Sequence, residues 1–399
     1  MPPLPFMVTS PSLAPRRPSL DAVTGLRFFA AMGVAGYHFY CAPCVPNAPA
    51  FLDKLLQAGF TTVSLFFVLS GFILAYNYLG ERGGFVGTVR DFYRARFARI
   101  YPIYLLALVV DLPLFLRVVA QAEPAATPGE VARICTATLT LTQAWLELGR
   151  PTWNTMAWTL SAEAFFYAVF PWVGRWLAQQ SSRRLLVVAG SAWLLGASPM
   201  LAGELASWLG TEGAASLGVR VLHAWSQLPI QLIPVTRLPE FALGLCLGLL
   251  FCRRTHQGRE SWRTAGLLAT GAVIAAVIIL LPPKPSPLVQ MGVLVPLFAL
   301  FIWLLACGVS GNGLTLGTRP LVLLGGASYV LYLIHGSLMG YALALNTRTF
   351  TLPHNAVALL MVPGVVVISL FLFWFVEEPA RHWIRRAPRR ASESRALGQ

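Results

Sequence analysis

The sequence predicts an all-α protein, a polytopic membrane helix bundle of about ten transmembrane helices with both termini cytoplasmic. Three observations carry this reading. Of 399 residues, 56% are hydrophobic and only 12% charged, whereas soluble domains carry about a quarter charged residues. Ten apolar stretches come close to the roughly 20 residues needed to cross a bilayer. The 30 Lys and Arg residues, which outnumber the 16 Asp and Glu, cluster between those stretches rather than along one solvated face. The net charge of +14 therefore reads as a topology signal, and nucleic acid is not an expected partner.

The spans are centred near Ala31, Leu69, Val109, Tyr167, Trp193, Leu243, Ala275, Phe298, Leu333 and Val366. The threonine-rich stretch from Val131 to Trp145 is too short to cross, so it is expected to be partly inserted or at the surface. Alternating loops then divide the basic residues. Twenty-one fall on the side of both termini, seven on the other, and Arg27 and Arg237 lie inside spans, which puts the termini in the cytoplasm. Residues 1–19, rich in proline and without a signal-peptide core, are expected as a flexible N-terminal tail. Residues 20–386 form one transmembrane domain, and residues 387–399 a flexible basic tail.

The first span, LRFFAAMGVAGYHFY, holds Arg27 and His38. Eleven residues apart at about 100° each, the two project from one helix face, roughly 16 Å apart along the axis, with His38 in the outer half. Ionisable groups at such depth face a cavity, a partner or a substrate path. The third span opens with RDFYRARFARIYPIY, where Arg90, Arg94, Arg96 and Arg99 exceed what topology needs. Guanidinium groups suit bidentate binding of phosphate, so a phosphorylated cytoplasmic ligand is the natural partner.

The fourth span, WTLSAEAFFYAVFP, brings Glu163 to the expected depth of His38, where a carboxylate orients an imidazole and raises its basicity. Arg237 and Glu240 start a later span beside Pro239. SYVLYLIHGS carries Tyr329, Tyr332 and His335 on an outward-going helix, so two histidines and a glutamate are expected to converge. FVEEPARHWIRR ends the last span with Glu377 and Glu378 placed to pair with the entrance arginines.

Of the six cysteines, Cys246, Cys252 and Cys307 read as small core residues. Cys41, Cys44 and Cys135 fall on the outer side, where a disulfide among them is open. No metal site is expected, because zinc would need more ligands than the local sequence offers.

Seven segments in order, LDAVTGLRFFAAMGVAGYHFY, FFVLSGFILAYNY, RARFARIYPIYLLAL, WTLSAEAFFYAVFP, RLPEFALGLCLGLL, ASYVLYLIHG and VEEPARHWIRR, resemble the acyltransferase 3 family of integral membrane acyltransferases. LDAVTGLR is longer than the family's common LDGLRG form. The resemblance implies transfer of an acyl group, most often acetyl, from cytoplasmic acyl-CoA to a hydroxyl of a carbohydrate or glycosylated acceptor. Family acceptors include O-antigens, exopolysaccharides, lipo-oligosaccharide signals and macrolides. It implies roles for Arg27, His38, Arg96 and Arg99.

Combined with the spacing, this gives His38 as general base, Glu163 as its partner, and Arg27, Arg94, Arg96 and Arg99 on the donor. Tyr104, Trp158, Arg237, Tyr329, His335 and Glu377 serve as substrate-binding or supporting residues. No cofactor is expected to stay bound; acyl-CoA, chiefly acetyl-CoA, is a co-substrate. Membrane lipids surround a multi-pass protein of a bacterial inner membrane, acting alone, as a homo-oligomer or with a separate partner protein. The competing class is a proton-coupled transporter or flippase, since intramembrane His, Arg and Glu also build proton relays.

Overall fold

In hydrocarbon, backbone N–H and C=O groups must be satisfied within their own segment, and a helix does this. The computed structural model describes residues 20–39, 49–80, 84–122, 124–146, 152–208, 234–254, 261–280, 289–308 and 315–386. Among them the chain runs through α1 (Asp21–Phe39), α2 (Ala50–Gln57), α3 (Thr62–Tyr78), α4 (Val89–Ala120), α5 (Pro128–Leu139), α6 (Trp158–Ala178) and α7 (Ser182–Trp208). It continues as α8 (Leu238–Cys252), α9 (Ser261–Leu280), α10 (Val295–Gly308), α11 (Arg319–Leu345), α12 (His354–Leu372) and α13 (Glu378–Arg386), with no β-strand among the described residues.

Eight helical stretches of the described chain are long and apolar enough to cross a membrane. The other two spans read from the sequence are α1, with 19 residues, and α6, with 21. Both have the length but not the apolarity, because α1 holds Asp21, Arg27 and His38 while α6 holds Glu163 and Arg175. Both carry expected site residues, as α4 and α11 also do.

Local chemistry fixes the helix ends. Thr88 opens α4 by accepting from the Asp91 backbone N–H at 3.0 Å. The helix then runs 32 residues through Pro102 and Pro113, about 48 Å at 1.5 Å per residue, longer than the roughly 30 Å hydrocarbon core. The threonine-rich stretch becomes α5, only 12 residues long and opened by a Thr127–Glu130 capping box. Its length rules out a crossing, as the sequence indicates.

Packing is set by glycine where helices touch backbone to backbone. A Cβ on Gly325 of α11 would lie 1.9 Å from the Thr24 carbonyl oxygen of α1, so only glycine lets these two helices meet. Gly244 of α8 is in the same position against Val68 O of α3, at 2.0 Å. The α1–α11 contact brings the face bearing Arg27 and His38 against the face bearing Tyr329 and His335. Around it, α3, α4 and α6 close a core of which Phe72, Phe92, Tyr104, Phe166, Phe170 and Phe241 are fully buried members.

Of the cysteines, Cys246 is buried, Cys252 and Cys307 are half-buried, and Cys135 carries a free thiol. Cys41 and Cys44 lie outside the described residues.

Candidate active site

Between α1, α3, α4, α6 and α11 the bundle encloses a cavity of about 130 Å³. Its polar lining includes Arg27, Arg96, Arg99, Glu163, the tyrosines Tyr167, Tyr329 and Tyr332, and the hydroxyls of Ser70, Thr159 and Ser328. Apolar side chains of α3, among them Val63, Phe66 and Phe67, form another wall.

The three arginines are held in different ways. Arg99 forms an ion pair with Glu377, whose side chain is 1% exposed, and its guanidinium lies over the Tyr329 ring at 5.5 Å. Arg96 donates to the Tyr78 hydroxyl at 2.9 Å and lies over the Tyr78 and Tyr167 rings, while its buried Nε has no hydrogen-bond partner among the described residues. Arg27 lines the cavity together with Glu163 and makes no hydrogen bond to a described residue. Aromatic faces stabilise a guanidinium without occupying its N–H groups. Donors therefore remain available, and a site of this charge suits an anionic, hydrogen-bond-accepting ligand.

Three helical turns from Arg27, on the same face of α1, His38 meets His335. His335 Nε2 lies 3.1 Å from His38 Nδ1. His38 Nδ1 is also 2.9 Å from Val34 O, and His335 Nδ1 is 3.2 Å from Leu331 O. A carbonyl oxygen only accepts, so these contacts favour the tautomers in which each Nδ1 carries the proton. In those tautomers the His335 Nε2 lone pair faces the His38 Nδ1–H, and no described residue hydrogen-bonds His38 Nε2. His335 is 0% exposed and His38 only half-buried.

Other residues singled out in the sequence take different places. Glu163 does not meet His38. It accepts from the Tyr167 hydroxyl and lines the cavity with the arginines, so the partner of His38 is His335. The reason is the depth at which α6 starts. Trp153 Nε1 donates to Leu108 O at 2.9 Å, and Asn154, 5% exposed, donates to the Asp111 carboxylate and to Leu333 O. That loop is drawn into the bundle, so Glu163 lies about two turns below an already sunken start.

Arg94 is not in the cavity lining. Its Nε and Nη2 donate to Ile384 O at 2.7 and 2.5 Å, tying α4 to α13. Tyr104 is fully buried and donates to Thr138 O at 2.7 Å, anchoring α5. Arg237 pairs with Glu240 at 2.9 Å and lies over the Phe67 and Trp158 rings, so it and Trp158 support the wall from behind. Glu377 supports Arg99 from a π-helical turn, Phe373–Glu377.

Sequence reading passed over Asp111 and Tyr167. Asp111, an aspartate in the otherwise apolar VVDLPLFL, accepts from the Ser337 hydroxyl at 2.5 Å and from Asn154 N at 2.9 Å, pinning α4, the sunken loop and α11 together. A charge inside a span was the available signal. Tyr167 gave no such signal, because aromatic residues are common in spans. Among the described residues no cluster of three or more His, Cys, Asp or Glu could hold a metal ion.

The site sits in a helical membrane bundle with an arginine-lined cavity and a histidine pair, and similarity to known proteins identifies its family. The chain belongs to the acyltransferase 3 family, whose acyltransferase domain matches residues 20–377. It is 30% identical over 398 residues to "Acyltransferase MdmB" of Streptomyces mycarofaciens, covering 94% of this chain and 95% of that one. It is 32% identical over 191 residues to "Protein 2 in picA locus" of Rhizobium radiobacter, covering 43% of this chain and 90% of that one. No solved structure matches.

Proposed function

We propose that this membrane acyltransferase moves an acyl group, acetyl in the first instance, from acyl-CoA to a hydroxyl of a carbohydrate or glycosylated acceptor, with His38 as general base. The observation that carries this reading is the contact of His335 Nε2 with His38 Nδ1 at 3.1 Å, with His38 Nδ1 also 2.9 Å from Val34 O; with its proton on Nδ1, His38 offers Nε2 as the base. The arginine-lined cavity, on the same face of α1 and about three turns away at Arg27, suits the anionic end of a thioester donor. Phosphates of the donor bind from the cytoplasmic side towards Arg96 and Arg99, and Arg27 draws the pantetheine arm inwards. The acceptor hydroxyl gives its proton to His38 Nε2 as its oxygen bonds the thioester carbon, and the departing thiolate takes that proton. General-base catalysis of this kind contributes about 10²–10⁴-fold.

The test is CoA-thiol release in membranes holding the full chain, with acetyl-CoA as donor and a panel of soluble glycosides as acceptors, the acceptor product being followed by mass. Turnover that depends on acceptor and is lost in His38→Ala supports the reading. Wild-type turnover in His38→Ala removes His38 from the chemistry, and transport of a glycoside with no CoA release replaces the enzyme by a carrier.

A further inference from the structure

His335 reaches His38 from the side of α11 that faces α1, so the rotation of α11 decides whether the two imidazoles meet. The close approach of Gly325 to Thr24 O fixes the two helices at one level. That level lies ten residues from His335, about 15 Å along the axis, too far to set the rotation there by itself.

A second grip lies on the opposite side of the helix. At about 100° per residue, Ser337 stands about 160° away from His335 around α11. Ser337 is buried and its hydroxyl donates to Asp111 Oδ1 at 2.5 Å, while in the same turn Leu333 O accepts from Asn154 Nδ2 at 3.2 Å. The Asn154 backbone N–H donates to Asp111 Oδ2 at 2.9 Å, so one carboxylate bridges the helix and the loop that holds it. One turn farther along, the Tyr341 hydroxyl donates to Val110 O at 2.7 Å, and a Cβ on Gly340 would lie 2.9 Å from Leu114 Cδ1.

Two features mark this grip as more than packing. A carboxylate within a span is costly, and apolar side chains would seat α4 on α11 without one. Asn154 holds a left-handed backbone, φ 56°, which asparagine tolerates better than most residues and which persists where the surroundings over-determine it.

We infer that Asp111 is a positioning residue for the histidine pair. By fixing Ser337 and Asn154 it holds α11 at the rotation that sets His335 Nε2 3.1 Å from His38 Nδ1. This role rests on the acyl-transfer reading above. Asp111 acts through His335, so its removal costs turnover no more than the loss of His335 itself.

The experiment measures kcat, KM for acetyl-CoA and thermal stability for Asp111→Leu, Asp111→Asn, Ser337→Ala, His335→Phe and the double variant Asp111→Leu with His335→Phe. His38→Ala is the control, and the acceptor is the soluble glycoside that turns over best. Asp111→Leu keeps the branching of the side chain and removes both hydrogen bonds. A fall in kcat of up to about tenfold, the scale of one net hydrogen bond, is expected with KM within about twofold, and a smaller fall in Ser337→Ala. Asp111→Asn keeps an acceptor for the Asn154 N–H and should recover most of the turnover. In the His335→Phe background Asp111→Leu should add less than about twofold, because residues acting through one contact are not additive.

Equal losses in both backgrounds overturn the assignment and make Asp111 a structural anchor. A parent-like kcat in Asp111→Leu or in His335→Phe overturns it too, as does a loss expressed in KM. If Asp111→Leu does not accumulate, Ser337→Ala alone and with His335→Phe gives the same comparison. Parent-like turnover in His38→Ala overturns the underlying reading instead.

Discussion

The two ends of the cavity solve opposite problems. At the arginine end, Arg27, Arg96 and Arg99 share the cavity with Glu163, Arg99 pairs with the buried Glu377, and Arg96 and Arg99 lie over the rings of Tyr78, Tyr167 and Tyr329. At the histidine end, hydrogen bonds run to helix carbonyls and from one imidazole to the other, with no carboxylate in the pair. The first end keeps surplus positive charge and spare donors; the second keeps a single lone pair. Charge that is only partly compensated inside a membrane is costly, so the surplus marks where a ligand's own charge belongs.

The largest expected effect breaks the histidine end. His38→Ala should lower turnover by about 10²–10⁴-fold with KM for the acyl-CoA donor unchanged, as read by steady-state kinetics in membranes. A rise in donor KM of equal size would merge the two ends into one binding site.

Forcing the helices apart is next. Gly325→Ala places a Cβ 1.9 Å from Thr24 O, so α1 and α11 must separate and the His38–His335 contact must lengthen. Overpacking of this kind costs about 1–3 kcal/mol. Lower thermal stability in detergent together with lost turnover is expected, and parent-like behaviour of both would show that the helix contact does not position the pair.

The arginine end is sharpened by separating its stability from its affinity. Arg99→Ala leaves Glu377, whose side chain is 1% exposed, with only the longer contact to Arg381 at 3.6 Å, and removing one partner of a buried pair costs up to about 3–5 kcal/mol. The double variant Arg99→Leu with Glu377→Leu should recover the stability but not the affinity for acetyl-CoA. Recovery of both would reduce the pair to a structural bridge. A smaller effect is expected at His335. His335→Gln retains an acceptor for the His38 Nδ1–H and should keep most of the turnover, whereas His335→Phe should lose about tenfold, the scale of one net hydrogen bond. Equal loss in both would point to packing alone.

The smallest effect belongs to Arg94→Ala. Because this guanidinium is bound to Ile384 O, donor KM should stay within about twofold of the parent's. The helix-end contact is worth about 1–2 kcal/mol and should appear only as reduced stability.

Much of the architecture was legible before any coordinates. The ten span centres all fall in helices, since runs of apolar residues at bilayer length leave the backbone few alternatives. The threonine-rich stretch was rightly set apart by its length. Arg27, Arg96 and Arg99 share one cavity because each occupies a polar position in an apolar helix, a signal that one-dimensional reading detects well. Arg94 shows its limit: the same cluster holds an arginine serving the cavity and one serving a helix end, and only the path of α13 separates them.

The sequence by itself determined that the chain is a membrane helix bundle and that its buried charge and imidazoles lie on α1, α4, α6 and α11, because hydropathy and helical spacing are local properties. Tertiary structure decided how those groups pair. A sunken loop held by Asp111 and Asn154 lowers Glu163 to the arginines, and two glycine-tight helices bring His335 rather than Glu163 to His38. Depth and rotation of a helix depend on what its neighbours allow, and no single segment carries that information.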